Sequence, residues 1–124
     1  MKSTLGALGL LTTVLCIGCG DDRPPGSVGN DSSLVGGPCM NNSECDQGLC
    51  QDGFRFPGGI CTVSCGSSSN CPQGSSCAEL DTGWVCLVNC RGTTDCRTDY
   101  LCESVTEAGT NQTSNVLVCL GPAR

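Results

Sequence analysis

The chain has 124 residues, a formal net charge of −6, no histidine and 14 cysteines. The missing imidazole excludes Ser-His and Cys-His nucleophilic catalysis and histidine zinc sites, and an acidic chain whose only lysine is Lys2 argues against a nucleic acid partner. Cysteine at this frequency in a chain too small to bury a large core indicates a disulfide scaffold formed in an oxidising compartment.

The N-terminal segment has the features of an export signal. Met1 and Lys2 give it a positive start, and residues 5–17 form an apolar stretch. That stretch is shorter than the roughly 20 apolar residues that a transmembrane helix needs. We therefore expect residues 1–18 to be a signal peptide.

The end of this segment, Cys16-Ile17-Gly18-Cys19, resembles a bacterial lipobox, with Cys16 where leucine is usual. The resemblance implies that Cys19 is lipidated, becomes the mature N-terminus and attaches the protein to a membrane, at the bacterial outer membrane or cell surface. Lipidation of Cys19 also leaves an even number of cysteines downstream, which suits complete pairing.

Residues 20–37 are rich in Gly, Pro, Ser, Asp and Asn and have no hydrophobic period. We predict that residues 19–38 are the lipidated N-terminus followed by a flexible tether. A segment of this composition has an r.m.s. reach of roughly 25 Å, enough to hold a small domain away from lipid headgroups.

Three four-cysteine repeats follow, and we expect them to occupy residues 39–64, 65–89 and 90–124. Their twelve cysteines are predicted to form six disulfides: Cys39, Cys45, Cys50, Cys61, Cys65, Cys71, Cys77, Cys86, Cys90, Cys96, Cys102 and Cys119. Four cysteines per repeat permit three pairings. We favour the pairing of the first cysteine with the third and of the second with the fourth, because nested short loops would hold a turn and a strand together.

Each repeat also carries a turn template. A hydroxyl residue and an acid or amide precede the second cysteine, and these side chains are expected to cap backbone donors: Ser43-Glu44, Ser69-Asn70 and Thr94-Asp95. Three residues after that cysteine come Gly48, Gly74 and Asp99, which predicts a left-handed backbone at this position.

The expected fold class is a small disulfide-rich protein of three tandem repeats, with short strands and turns and little regular secondary structure. Each repeat would have a capped turn between its first three cysteines, then a loop, then a short strand carrying the fourth. The loops are expected at residues 51–60, 78–85 and 103–118.

The Cys-x5-Cys-x4/5-Cys pattern, with an acid before the second cysteine and Gly in the next gap, is similar to cysteine-rich modules of EB and Dickkopf type. It also resembles the cysteine-rich repeats of many bacterial envelope lipoproteins. The resemblance covers residues 39–119 and implies an extracytoplasmic interaction module with no known reaction.

We therefore expect a lipid-anchored cell-envelope protein that acts as a binding or structural module and is not an enzyme. The expected partner contact is the 51–60 loop, through Phe54, Arg55 and Phe56, because aromatic and arginine side chains dominate binding hot spots. The alternative is a secreted disulfide-scaffold protease inhibitor that presents the same loop, with Arg55 entering a trypsin-like pocket.

No cofactor or metal is expected. After Cys19 the chain has no Cys-x-Cys or Cys-x-x-Cys pair to place two thiolates on one ion. Asp46, Asp52, Asp81 and Asp99 offer oxygen ligands for calcium, but a dense Asp-rich binding loop is missing. General acid–base catalysis would need a cleft, which we do not expect so small a chain to build.

Overall fold

A computed structural model describes residues 28–109 and 114–123. The predicted signal peptide and Cys19 lie outside the described residues, as do the first residues of the predicted tether. None of the described helices is long and apolar enough to cross a membrane.

Each repeat consists of one short 3₁₀ helix followed by one antiparallel hairpin. The 3₁₀ helices are Asn42–Glu44, Ser68–Asn70 and Thr93–Asp95. The hairpin strands are β1 (Leu49–Gln51) with β2 (Ile60–Thr62), β3 (Ser75–Leu80) with β4 (Gly83–Val88), and β5 (Leu101–Thr106) with β6 (Asn115–Leu120). This architecture confirms the predicted fold class.

The third cysteine of each repeat also lies in a strand, and all three predicted loops include strand residues. In the first loop these are only its end residues, Gln51 of β1 and Ile60 of β2. Residues 78–80 continue β3 and residues 83–85 belong to β4, while β5 and β6 extend into 103–118 from both sides. Trp84, Val105 and Val116 favour extended pairing, so the hairpins are longer than the cysteine spacing indicated.

Six disulfides join the twelve repeat cysteines, and their pairing is the interleaved one that we favoured: Cys39–Cys50, Cys45–Cys61, Cys65–Cys77, Cys71–Cys86, Cys90–Cys102 and Cys96–Cys119. The third and fourth cysteines face each other across each hairpin, as Cys77 and Cys86 do. Each of them nevertheless forms its disulfide with one of the first two cysteines, which lie in the segment before the hairpin. Two disulfides therefore fix that segment to the hairpin.

The side chain before the second cysteine closes the turn in all three repeats. Glu44 accepts a hydrogen bond from the N–H of Met40 (2.6 Å), Asn70 from that of Gly66 (3.0 Å) and Asp95 from that of Arg91 (2.8 Å). Each donor directly follows the first cysteine of its repeat. The predicted capping is therefore confirmed for the acid or amide of each repeat. The hydroxyls of Ser43 and Ser69 bond instead to the side chains of Asn41 and Ser67.

The predicted left-handed positions are confirmed as well. Gly48 has φ 69°, Gly74 has φ 88° and Asp99 has φ 72°. Asp99 is the only non-glycine residue with positive φ among the described residues. The backbone conformation is thus kept where the residue type changes.

The repeats are joined through their connectors, which add a third strand-like segment to the next hairpin. Ser64 bridges to Val85 of the second repeat, and Asn89 bridges to Val118 of the third. The N–H of Cys86 donates to the Val63 carbonyl at 3.0 Å. Consecutive repeats therefore share backbone hydrogen bonds.

The first hairpin receives the corresponding segment from the predicted tether, and this corrects the sequence analysis. The N–H of Gly36 donates to Cys61 O (2.9 Å), and the N–H of Cys61 donates to Gly37 O (2.8 Å). Val35 is fully buried, and a side chain on Gly36 would overlap the Gly29 carbonyl and Val88. Residues 28–37 thus stand in for a preceding repeat and are not a flexible tether, and the rest of the predicted tether before Val28 lies outside the described residues.

The buried apolar side chains form one main cluster and one small one. The main cluster spans the second and third repeats and includes Val35, Phe56 and Ile60 from the N-terminal part. The small cluster consists of Cys39, Cys45 and Cys61 of the first repeat, with Cys50 packed against it. Every buried side-chain nitrogen or oxygen of the described residues has a hydrogen-bond partner.

Candidate partner-binding cleft

The 51–60 loop separates its two phenylalanines. Phe56 is buried, with 4% of its surface exposed, and it joins the main cluster, whereas Phe54 is 53% exposed. A reverse turn sets this difference, since the N–H of Phe56 donates to Gly53 O at 2.9 Å and Gly53 has φ 113°. Phe54 is therefore the exposed phenylalanine of this loop and Phe56 is a core residue, and the expected partner contact stays a prediction.

Arg55 is held on the protein rather than projected from it. Its guanidinium forms an ion pair with Glu103 of β5 at 2.6 Å, and both side chains are about one-quarter exposed. Its carbonyl oxygen accepts a hydrogen bond from the N–H of Gly121 at 2.8 Å. An inhibitory loop must offer its arginine to a protease pocket, so this geometry does not favour the inhibitor alternative.

A clamp from the third repeat, which the sequence analysis missed, fixes the base of the same loop. The Arg97 guanidinium donates to the carbonyl oxygens of Gly36 (3.1 Å), Pro57 (2.8 Å) and Gly59 (2.7 Å). It also lies over the Tyr100 ring, 4.6 Å from the centroid. One side chain therefore ties together the N-terminal segment, the first repeat and the third.

Tyr100 completes this clamp. Its ring is buried, and its hydroxyl donates to the Pro57 carbonyl at 3.1 Å. Burial raises the pKa of the Tyr100 hydroxyl above its ordinary value, and the neighbouring Arg97 cation opposes the shift. The hydroxyl therefore stays a proton donor to the loop at neutral pH.

Phe54 borders an open cleft of about 560 Å³ between residues 52–56 of the first repeat and residues 79–82 of the second, with Ala123 at its edge. We call it the Phe54 cleft. The second side is the tip of the β3–β4 hairpin, where Leu80 pairs with Gly83 around a two-residue turn. A cleft was not expected from so short a sequence, and it arises because two repeats meet side by side.

Three carboxylates line the Phe54 cleft: Asp52, Glu79 and Asp81. All three are exposed. Of the four aspartates considered for calcium, the structure brings together Asp52 and Asp81, while Asp46 accepts a hydrogen bond from Ser33 elsewhere. Exposed carboxylates in one recess are available for electrostatic contact with a cation.

Trp84 extends the apolar surface beside this cleft. It stands directly opposite Glu79 across the β3–β4 pair and is 42% exposed. Directly opposed residues lie on the same face of a hairpin, so the indole is a neighbour of the Glu79 carboxylate.

The cysteine sulfurs also form three compact groups, one per repeat, in which the sulfur atoms lie within 4.8 Å of one another. Metal binding by cysteine requires thiolates. Each grouped sulfur is part of a disulfide. These groups therefore act as covalent staples and offer no thiolate to an ion.

Comparison with known proteins finds no match, whether to a protein-family model, a curated protein or a solved structure. The residues of the Phe54 cleft carry only weak sequence signals, because Asp52 and Asp81 belong to different repeats. The sequence did indicate Phe54 as a contact residue, because it is an aromatic residue in a loop between two cysteines.

Proposed function

We propose that the chain is a lipid-anchored cell-envelope protein whose cysteine-rich domain binds a protein partner. The observation that carries the binding role is the Phe54 cleft, a surface recess with an exposed aromatic ring on a scaffold fixed by six disulfides. A rigid surface binds with less loss of conformational entropy than a mobile one, so disulfides on both sides of the cleft favour recognition.

The cysteine pairing supports the anchor. All twelve cysteines after Cys19 are used within the repeats, so the domain has no thiol left for Cys19. A disulfide to the domain is therefore not the role of Cys19, and lipidation in the lipobox-like segment gives it one. Stable attachment would require more than one acyl chain, since a single chain binds membranes only marginally.

Membrane fractionation of cells producing Cys19→Ala tests the anchor. We expect this variant to leave the membrane fraction and to lose incorporation of radiolabelled palmitate. Cys16→Leu is the matched control, because it removes a thiol from the same segment and places there the leucine that is usual in a lipobox, and it should remain in the membrane fraction. Membrane retention of Cys19→Ala equal to the wild type would refute the anchor.

A further inference from the structure

We propose that the Phe54 cleft is the docking site for a basic peptide segment of a protein partner, whose lysine or arginine side chain enters between the carboxylates of Asp52, Glu79 and Asp81 and contacts the Phe54 ring. This inference rests on the proposed binding function and names the chemical class of the partner.

The charge distribution selects a cationic occupant. The described residues include ten acidic side chains and three arginines. Five of the acids have no hydrogen bond or ion pair within the described part of the chain, and three of those five line this one cleft: Asp52, Glu79 and Asp81. Their negative potential would attract a cation and repel nucleic acid or an anionic lipid surface.

The described arginines near the cleft have other partners. Arg55 lines the cleft, but its guanidinium is paired with Glu103, which is not a lining residue. The Arg97 guanidinium points to three backbone carbonyls at the base of the loop. Among the residues that the structure describes, the cleft therefore keeps an excess of negative charge.

The apolar side of the cleft suits an amphipathic basic segment. Phe54 presents 53% of its surface, and Leu80 and the largely buried Phe56 also line the recess. A lysine or arginine within about 6 Å of an aromatic face gains a cation–π contact, and its methylene stem can lie along apolar surface. The observed combination of ring and carboxylates offers both contacts to one side chain.

The test uses the whole oxidised chain and a synthetic peptide of alternating arginine and leucine. The matched peptide has citrulline in place of arginine, which keeps the shape and removes the charge. Trp84 is the only tryptophan and lies opposite Glu79, so its fluorescence reports binding at this surface. We expect the arginine peptide to bind with an affinity that falls as salt is raised, and the citrulline peptide to bind at least about tenfold more weakly.

Two matched double variants distinguish binding at the cleft from attraction by the net negative charge of the protein. Asp52→Asn with Asp81→Asn should weaken the arginine peptide about tenfold. Asp31→Asn with Asp99→Asn removes two carboxylates that also have no partner among the described residues but lie outside the cleft, and it should change affinity less than about twofold. Phe54→Ala should weaken binding about threefold to tenfold through loss of the ring contact.

Equal effects of the two double variants would overturn the proposal, because they would show attraction by net charge alone. Calcium binding that Asp52→Asn with Asp81→Asn abolishes, together with no peptide binding, would assign the cleft to a metal ion instead. Equal binding of the arginine and citrulline peptides would show an apolar site. Failure of this proposal leaves Cys19 fractionation unchanged, whereas failure of the anchor leaves peptide binding unchanged.

Discussion

The first and second repeats share one disulfide pattern but differ in what surrounds it. The first repeat has three-residue strands, and its cysteines form a small cluster of their own. The second repeat has six-residue strands, and Cys71, Cys77 and Cys86 are fully buried in the main cluster. The same pair of disulfides therefore supports two different hairpins. That of the second repeat is largely self-sufficient, whereas that of the first repeat depends on other segments.

The contacts to the first repeat show where its order comes from. Gly36 and Gly37 bond to Cys61 of β2, Arg97 holds the base of the 51–60 loop, and Gly121 bonds to the Arg55 carbonyl. The buried Thr62 hydroxyl of β2 also donates to Cys86 O at 2.6 Å. Covalent staples thus define the repeat, whereas non-covalent docking positions its loop and, with it, Phe54.

The largest effect that separates the two repeats is the loss of one disulfide from each. Replacing Cys71 and Cys86 with alanine should cost towards the upper end of about 2–5 kcal/mol, because it opens the main core as well as the loop. Replacing Cys39 and Cys50 should cost towards the lower end, since that bond lies outside the main core. Denaturant unfolding followed by Trp84 fluorescence measures both, and equal losses would contradict the comparison.

The next effect concerns the clamp that only the first repeat needs. Arg97→Met should destabilise the protein by about 2–4 kcal/mol, because three partly buried carbonyls lose a charged donor. Amide hydrogen exchange should rise at Phe56 and Gly59 and stay low in β3 and β4.

Arg91→Met is the matched control for the clamp, since Arg91 is exposed and its structural role is played by its backbone N–H. Its unfolding free energy should stay within about 0.5 kcal/mol of the wild type. Protection of the 51–60 loop that survives Arg97→Met would show that the disulfides alone order it.

The comparison also explains what the sequence could reveal. Three features depend on residues close together in the chain, so the local sequence pattern was enough to predict them. They are the disulfide pairing, the capping by Asn70, and the left-handed positions of Gly48 and Asp99. Docking of the 51–60 loop depends on Arg97 meeting the carbonyls of distant residues, and a backbone carbonyl is offered by every residue type. No sequence pattern distinguishes those acceptors.

The N-terminal segment was misread for a related reason. Residues 28–37 have the glycine and serine content of a tether, and their apolar residues Val28, Leu34 and Val35 are too few to form a period. Glycine permits close approach of the backbone as well as flexibility, and composition does not separate the two. The Phe54 cleft was likewise invisible, since it needs Asp52 and Glu79 from two repeats.

A smaller effect is expected at the turn that all repeats share. Gly48→Val should cost about 1–3 kcal/mol, because the left-handed backbone is strained for a β-branched residue even though no atom crowds the site. Gly48→Asn should cost less, and Asp99→Gly should be neutral or stabilising. Thermal unfolding compares the three variants, and equal tolerance of valine and asparagine at position 48 would contradict a backbone origin.

The smallest effect, on a single hydroxyl, tests whether the loop of the first repeat truly covers the third. Tyr100 is the only tyrosine, so the ultraviolet absorbance of phenolate reports it without overlap from another residue. Its titration midpoint should lie above the ordinary pKa of 10.0 in the oxidised protein and return to that value after reduction and denaturation, because burial favours the neutral phenol.

The sign of the linked stability follows from that shift. A pKa raised in the folded state contributes stability that is fully present below pH 10.0 and is lost as the pH rises through the folded pKa. If Arg97→Met opens the loop, the Tyr100 hydroxyl becomes exposed and its pKa falls towards 10.0. If the loop stays closed, loss of the Arg97 cation raises the pKa of Tyr100 further, because that cation favours phenolate. A downward shift in this variant would show that Arg97 closes the loop, and an upward shift would show that the loop of the first repeat stays closed without it.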